Sequence, residues 1–406
     1  MNFVYLRSIV EDGDLDFSND FREFDLQKNY AYRFQDLPRD IHTQRYTNRY
    51  GIGSSILWLP FYGGIKGIYW LFFPSQEFDS YGTPAAFAVS IGSFLYAGAG
   101  LLILFLMLRR FVSPGASWYA VLFVLFASPL TFYIYFHPSM SHANSFFLIT
   151  AWLSLYLTSY TNSSSRFAVL RWICLGCLSA LIIMTRYQDA IIIPVIILGE
   201  ILYWISKEKH GFSATRGVTA YLLFFISFLI MFIPQLLTWK YLYGSYFSGP
   251  APYLAYEEFN LLSPRHIFQA LFSPWHGLFY WHPFLIIGLL GLIASVFPAT
   301  SMRLEIARLH KSVIFLLLFT LNLYLVGCWQ VWHAGASFGQ RLMISSLPAL
   351  AAGMAVVWIT FSHRSARILL GIILILAVLW NANLMYKYGA NAIPRQEPVT
   401  WLEMLF

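Results

Sequence analysis

Charge is what this chain has least of. Only 11% of its 406 residues are Asp, Glu, Lys or Arg, against roughly 25% in ordinary soluble domains. With a mean hydropathy of +0.60 over the whole length, that excludes a soluble domain carrying a single anchor and implies many membrane spans. Cysteine is scarce too. Cys174, Cys177 and Cys328 all lie inside apolar runs, so no disulfide framework is visible. Cys174 and Cys177 have CxxC spacing but no polar neighbours, and they read as small core residues rather than a redox or metal pair. Carboxylates number 19 against 26 basic residues. The net charge of +7 would suggest nucleic acid for a soluble protein; here the distribution of basic residues among the loops accounts for it, and no nucleic acid is expected.

What is abundant is apolar sequence in long blocks. Windows of about 19 residues give spans near 84–108, 117–136, 144–160, 169–185, 189–205, 218–238, 283–298, 312–329, 344–361 and 367–384. The expected fold class is therefore all-α, a polytopic transmembrane helical bundle of about ten spans. Every second connection is basic: Arg109 and Arg110, then Arg166 and Arg171, then Lys207, Lys209 and Arg216, then Arg303, Arg308 and Lys311, then Arg364 and Arg367. The positive-inside rule makes that face cytoplasmic. The alternate loops beyond residue 83 hold only Arg186, Lys240, Arg265, Arg341, Lys387 and Arg395.

Three parts follow from this topology. Residues 1–83 form an outer-face acidic region with short amphipathic helices, residues 84–384 the bundle, and residues 385–406 a short outer tail. The polar, aromatic connections 137–142, 185–189, 239–282 and 328–341 share the outer face with the acidic region. Chemistry confined to one side suits an enzyme or receptor working there. A transporter would place polar groups mid-span. The apolar stretch 55–73 is interrupted by Pro60, Gly63, Gly64 and Gly67 and reads as interfacial or re-entrant, because a further span would invert the charge bias. An outer N-terminal region needs something to carry it across. MNFVYLRSIV is neither signal peptide nor span, so a first transmembrane helix is expected upstream of Met1.

Successive loops carry a resemblance. YLRSIVEDGDLDFSND, NRYGIGSSILWLPF, FHPSMSHANSFF, SPWHGLFYWHP and WHAGASFGQR resemble, in order, the loops of bacterial GT-C membrane glycosyltransferases, the group related to protein mannosyltransferases and aminoarabinose transferases. The resemblance covers most of the chain, and its weight lies in order and sidedness rather than in one motif. It implies an inverting transferase of the bacterial cytoplasmic membrane, active on the periplasmic or extracellular face. The partners it implies are a polyprenyl-phosphate-linked sugar, a glycan, lipid or protein acceptor, and the bilayer itself. The family's first-loop carboxylate base precedes a tyrosine-containing turn and a Gly-Asp pair. Tyr5 matches that turn and Gly13-Asp14 that pair, so the base would fall just before Met1. Asp14 and Asp16 are then the catalytic carboxylates expected in this chain.

The remaining candidates follow from the chemistry of a phosphate leaving group. Arg341 enters a span after a small-residue stretch, Gly335 to Gly339, and its guanidinium matches phosphate by paired hydrogen bonds; the alternative is a structural ion pair. Arg186 runs against the charge bias in a short turn with Gln188 and Asp189, as a phosphate contact or an interface anchor paired with Asp189. His142 reads as a donor to phosphate or acceptor, or as a polar end to a span. Trp332 and His276 stand out from two aromatic clusters that otherwise fit an interfacial belt. Asp12, Asp14 and Asp16 could hold a divalent cation (Mg, Mn or Ca), although Phe17 occupies the glycine position of an EF-hand; the alternative is a solvated turn capping the next helix. No cofactor is otherwise expected. A flippase or transporter, an outer-face polymerase or ligase, and a non-catalytic scaffold are the competing readings.

Overall fold

In the computed structural model the described residues are 1–26, 36–157, 165–207, 214–248, 258–297 and 306–406. The architecture is all-helical, with one isolated antiparallel bridge between Arg39 and Tyr46 and no strand among the described residues. Lys209 and Arg303, counted above toward the charge bias, lie outside them, as does part of the 239–282 connection. The helices are α1 Asn2–Arg7, α2 Ser18–Leu26, α3 Gly53–Phe72, α4 Thr83–Leu108, α5 Pro114–Phe126, α6 Leu130–Tyr135, α7 His142–Leu157, α8 Ser165–Thr185 and α9 Ile192–Lys207. They continue with α10 Ala214–Tyr243, α11 Ile267–Phe272, α12 Leu278–Trp281, α13 Ile286–Ala294, α14 Ile306–Gly327, α15 Leu347–Thr360, α16 Arg364–Gly389 and α17 Trp401–Leu405.

Among the described residues each apolar block expected from sequence lies mostly on helix; 158–160 and 298 fall outside them. Four stretches are long and apolar enough to cross a membrane by themselves: Thr83–Leu108, Val218–Tyr243, Arg341–Thr360 and Arg364–Gly389. Shorter apolar helices lie at Pro114–Phe126, Val169–Thr185, Pro283–Ala294 and Ser312–Gly327. The chain is a membrane protein. Position in the bundle follows from burial. In Arg341–Thr360, 72% of the apolar window is buried, which puts α15 in the interior of the bundle. In Val218–Tyr243 and Arg364–Gly389 the shares are 11% and 22%, so α10 and α16 turn Leu222, Phe225, Ile230, Ile372 and Ile375 outward, as a lipid-facing rim requires.

Small residues set the tightest approach. A Cβ on Gly353 of α15 would sit 1.8 Å from the Gly288 carbonyl oxygen of α13. Only glycine allows two backbones that close, the usual device for packing helices in lipid.

One expectation is corrected. The span drawn over 117–136 is two helices, α5 and α6, separated at Ser128-Pro129. Proline has no N–H to donate and crowds the residue before it out of the helical region. The carbonyls freed there are met from α16: Asn381 Nδ2 donates to the Phe126 and Ser128 oxygens at 2.8 and 3.0 Å. The stretch 55–73, read as interfacial or re-entrant, lies on one continuous helix through Pro60 and its glycines, α3. Its first half is anchored on α4 by Trp58 Nε1 to Ser93 Oγ at 2.9 Å and by the Tyr96 hydroxyl to the Leu57 oxygen at 3.0 Å. Its second half exposes Ile68, Trp70, Leu71 and Phe72.

Candidate active site

The acidic stretch is organised by a cation that the sequence pattern did not single out. A turn of π-helix, Ser8–Asp12, ends at Gly13, whose φ of 71° suits a residue without Cβ. Asp14 closes this turn, its Oδ1 accepting from Ser8 Oγ at 2.8 Å and from the Asp16 amide at 3.0 Å. Asp16 then accepts from the Ser18 amide and hydroxyl at 3.0 and 2.6 Å, capping α2. Both carboxylates are exposed. Asp12 turns the other way, to Arg7 at 2.5 Å and Asn19 at 2.9 Å.

These three acids do not form a metal site. No group of three His, Cys, Asp or Glu residues placed to hold an ion occurs among the described residues. A guanidinium on Asp12, and turn and cap roles for Asp14 and Asp16, are the wrong surroundings for a divalent cation.

Within the acidic stretch the buried carboxylate is Asp20, in the first turn of α2. Its Oδ1 accepts from Arg7 at 3.1 Å and from the Tyr81 hydroxyl at 3.4 Å, while Oδ2 is buried with no hydrogen-bond partner. Burial outweighs the pull of Arg7 and pushes the Asp20 carboxyl up to about 6. Arg7 also donates to Ser80 Oγ at 3.2 Å and lies 4.1 Å from the Tyr81 ring centre.

The second half of the site gathers around two arginines. Arg186, buried at the end of α8, donates to Ser345 Oγ at 3.2 Å and to Gln188 Oε1 at 2.8 Å. Gln188 is held in turn by Asn322 Oδ1 at 2.5 Å and the Leu342 oxygen at 2.9 Å. Ser345 and Ser145 each donate to Asp189 at 2.5 Å, so Ser345 links the arginine to the carboxylate. Arg341 donates to the Ala334 oxygen at 2.8 Å and approaches Met140 Sδ at 3.6 Å. It makes no ion pair among the described residues, which removes the structural ion pair as its explanation.

Around Arg341 stand four histidines that resist protonation. His137, His142, His276 and His333 are each lowered from the ordinary imidazole value, first by burial and then by neighbouring positive charge, with Arg341 among the causes every time. For His276 the value falls to about 4. His142 is buried with Nδ1 unpartnered, its ring edge-on to Tyr133. These surroundings are positive and partly dehydrated, suited to an anion that makes directional hydrogen bonds.

Both halves lie at one end of the bundle. The N-terminal segment is tied to α3 by Ser55 Oγ to the Asn2 oxygen at 2.6 Å. The start of α3 presses on the end of α8, where a Cβ on Gly53 would sit 2.5 Å from the Thr185 amide nitrogen. Arg186 is the next residue. Of the expected residues, Arg186, Gln188, His142 and Arg341 converge. His276 and Trp332 adjoin them across the 334 segment, while Asp14 and Asp16 serve the N-terminal turn. Arg7, Asp20 and Tyr81 were missed.

No family model matches this sequence, and no curated protein does. Three solved structures are similar in fold. ArnT from Cupriavidus metallidurans in the apo state aligns at 14% identity over 97% of this chain and 62% of its own, with a TM-score of 0.48. The archaeal oligosaccharyltransferase AglB from Archaeoglobus fulgidus, in complex with an inhibitory peptide and a dolichol-phosphate, aligns at 12% identity over 100% of this chain and 49% of its own, TM-score 0.49. An apo form of the Archaeoglobus fulgidus oligosaccharyltransferase gives 13%, 100%, 49% and 0.45. The chain thus spans about half to three fifths of the length of these structures. Likeness at this level leaves function to be read from the residues of the chain itself.

Proposed function

We propose that this chain is a glycosyltransferase that takes a sugar from a polyprenyl-phosphate donor and passes it to an acceptor hydroxyl or amine on the outer face of a bacterial cytoplasmic membrane. The observation that carries the reading is Arg341: a half-buried guanidinium without a carboxylate partner, with four histidines that burial and positive charge keep neutral. Such surroundings fit a phosphate, and their position at one end of an apolar bundle fits a phosphate borne on a lipid.

In the proposed step the acceptor O–H or N–H loses its proton to a carboxylate and attacks the anomeric carbon. The bond from that carbon to the phosphate oxygen breaks with inversion. Arg341 and Arg186 stabilise the charge that develops on the departing lipid phosphate. Among the carboxylates of this chain, Asp20 suits the base best, because a group titrating near 6 is ionised at neutral pH yet basic enough to take a proton. Asp14 and Asp16 order the turn that delivers it.

The test is loss of a radiolabelled polyprenyl-phosphate hexose in proteoliposomes of the full chain. Arg341→Ala and Asp20→Asn should each reduce turnover by about a hundredfold or more. Unchanged turnover in both would refute the site, and a donor that is never consumed would refute the activity.

A further inference from the structure

The connections 258–282 and 328–340 meet in a cluster that the step above leaves unused. Trp275 stacks on His333 with ring centres 3.6 Å apart, and Trp332 stands edge-on to both. Beside them His276 is fully buried, its Nδ1 2.9 Å from the His333 carbonyl oxygen. A carbonyl can only accept, so Nδ1 carries the proton. In a neutral ring Nε2 is then a bare acceptor, and here it is buried with no partner.

The backbone around it is held in an unfavourable form. His276 at φ 64° and Ala334 at φ 61° both occupy the left-handed region despite their side chains. Such positions concentrate where a ligand must be met. The strained Ala334 carbonyl is the one that Arg341 grips at 2.8 Å. Glu258, exposed at the start of the first connection, is its one carboxylate; 259–282 and 328–341 contain no Asp or Glu, and Arg341 is the charge that acts on both His276 and His333.

We propose that this cluster receives the sugar ring of the donor, with His276 Nε2 accepting from a ring hydroxyl, and that it selects neutral sugars over sugars bearing a protonated amine. The proposal rests on the glycosyltransferase reading above. A ring joined to the phosphate held by Arg341 has to lie beside the 334 segment, and the aromatic side chains keep water from competing for Nε2. An ammonium would meet the Arg341 guanidinium, and no carboxylate acts on His276 or His333 to offset its charge.

The test uses the full chain in nanodiscs with polyprenyl-phosphate glucose and polyprenyl-phosphate glucosamine, together with glucose donors lacking one ring hydroxyl at a time. The unsubstituted chain should use the neutral donor at least about tenfold better in kcat/KM. His276→Leu should raise KM for the neutral donor about tenfold with kcat little changed, and His276→Gln, whose amide oxygen still accepts, should restore it. One deoxy donor should lose the same factor with the unsubstituted chain and nothing further with His276→Leu. Should His276→Leu fail to fold, the donor comparison and the deoxy series on the unsubstituted chain still decide. Equal use of the two donors, or no loss with any deoxy donor, overturns this proposal while leaving the transferase intact. Failure to consume either donor overturns both.

Discussion

Replacing Asp20 by Asn should make this protein more stable and less active at once. Its carboxyl is raised from an ordinary 3.8 to about 6 by burial that Arg7 only partly offsets. That rise corresponds to about 3 kcal/mol. The folded protein holds this proton up to a higher pH than the unfolded chain does. Stability is therefore lost as pH rises from about 4 through about 6, and the whole cost of the buried charge is present at pH 7. Asn has nearly the same shape, never ionises, and can still accept from Arg7, which keeps Asp12. The difference between Asp20→Asn and the unsubstituted protein should approach 3 kcal/mol at pH 7.5, on the order of 5 °C in melting temperature, and vanish near pH 4.

Thermal unfolding of both proteins in the same detergent, followed by intrinsic fluorescence from pH 4 to 8, measures this directly. The buried histidines are common to both and cancel in the difference. Turnover at pH 7.5 should fall by about two orders of magnitude or more in the same variant. A stabilised but inactive variant is the signature of a residue kept for chemistry at the expense of folding. Two parallel stability curves, or a less stable Asp20→Asn at pH 7.5, would refute the reasoning.

Arg341→Ala should change the melting temperature little, since no ion pair is lost, yet lower kcat/KM for the lipid-linked donor about a hundredfold; Arg341→Lys should recover only part of it, as an ammonium cannot bind phosphate through a planar fork. In Arg341→Ala, imidazole titrations followed by NMR should move His137 and His333 to higher pH, because one source of positive charge beside them is gone. Ser345→Ala removes the hydroxyl shared by Arg186 and Asp189, and should cost about 1–3 kcal/mol while weakening donor binding. Asn381→Leu strands the Phe126 and Ser128 carbonyls and His282 Nε2, and should cost several times the roughly 1 kcal/mol of one hydrogen bond without altering KM for the donor.

The spans were legible because hydropathy is a local sum. A block such as 218–238 is apolar whatever surrounds it, and Ala214–Tyr243 is helical there. The arginines proposed to hold the phosphate were legible for a related reason: Arg186 and Arg341 stand against the charge bias of their side of the chain. What sequence could not weigh was competition between a local rule and a distant partner. Pro129 ends a helix, whereas Pro60 does not. The difference lies in surroundings such as the α4 residues that grip Trp58 and Leu57. The regular Asp12-x-Asp14-x-Asp16 spacing drew notice, yet it describes the turn.

The carboxylate of the acidic stretch that is buried, Asp20, is distinguished from its neighbours by Arg7, 13 residues away, and Tyr81, 61 residues away. His276 shows the same limit at a finer scale. Its residue type was readable, but which ring nitrogen keeps a free lone pair depends on a carbonyl 57 residues further on. Chemistry in this chain resides in pairings across loops, and those are settled by packing at one end of the bundle rather than by any short stretch of sequence.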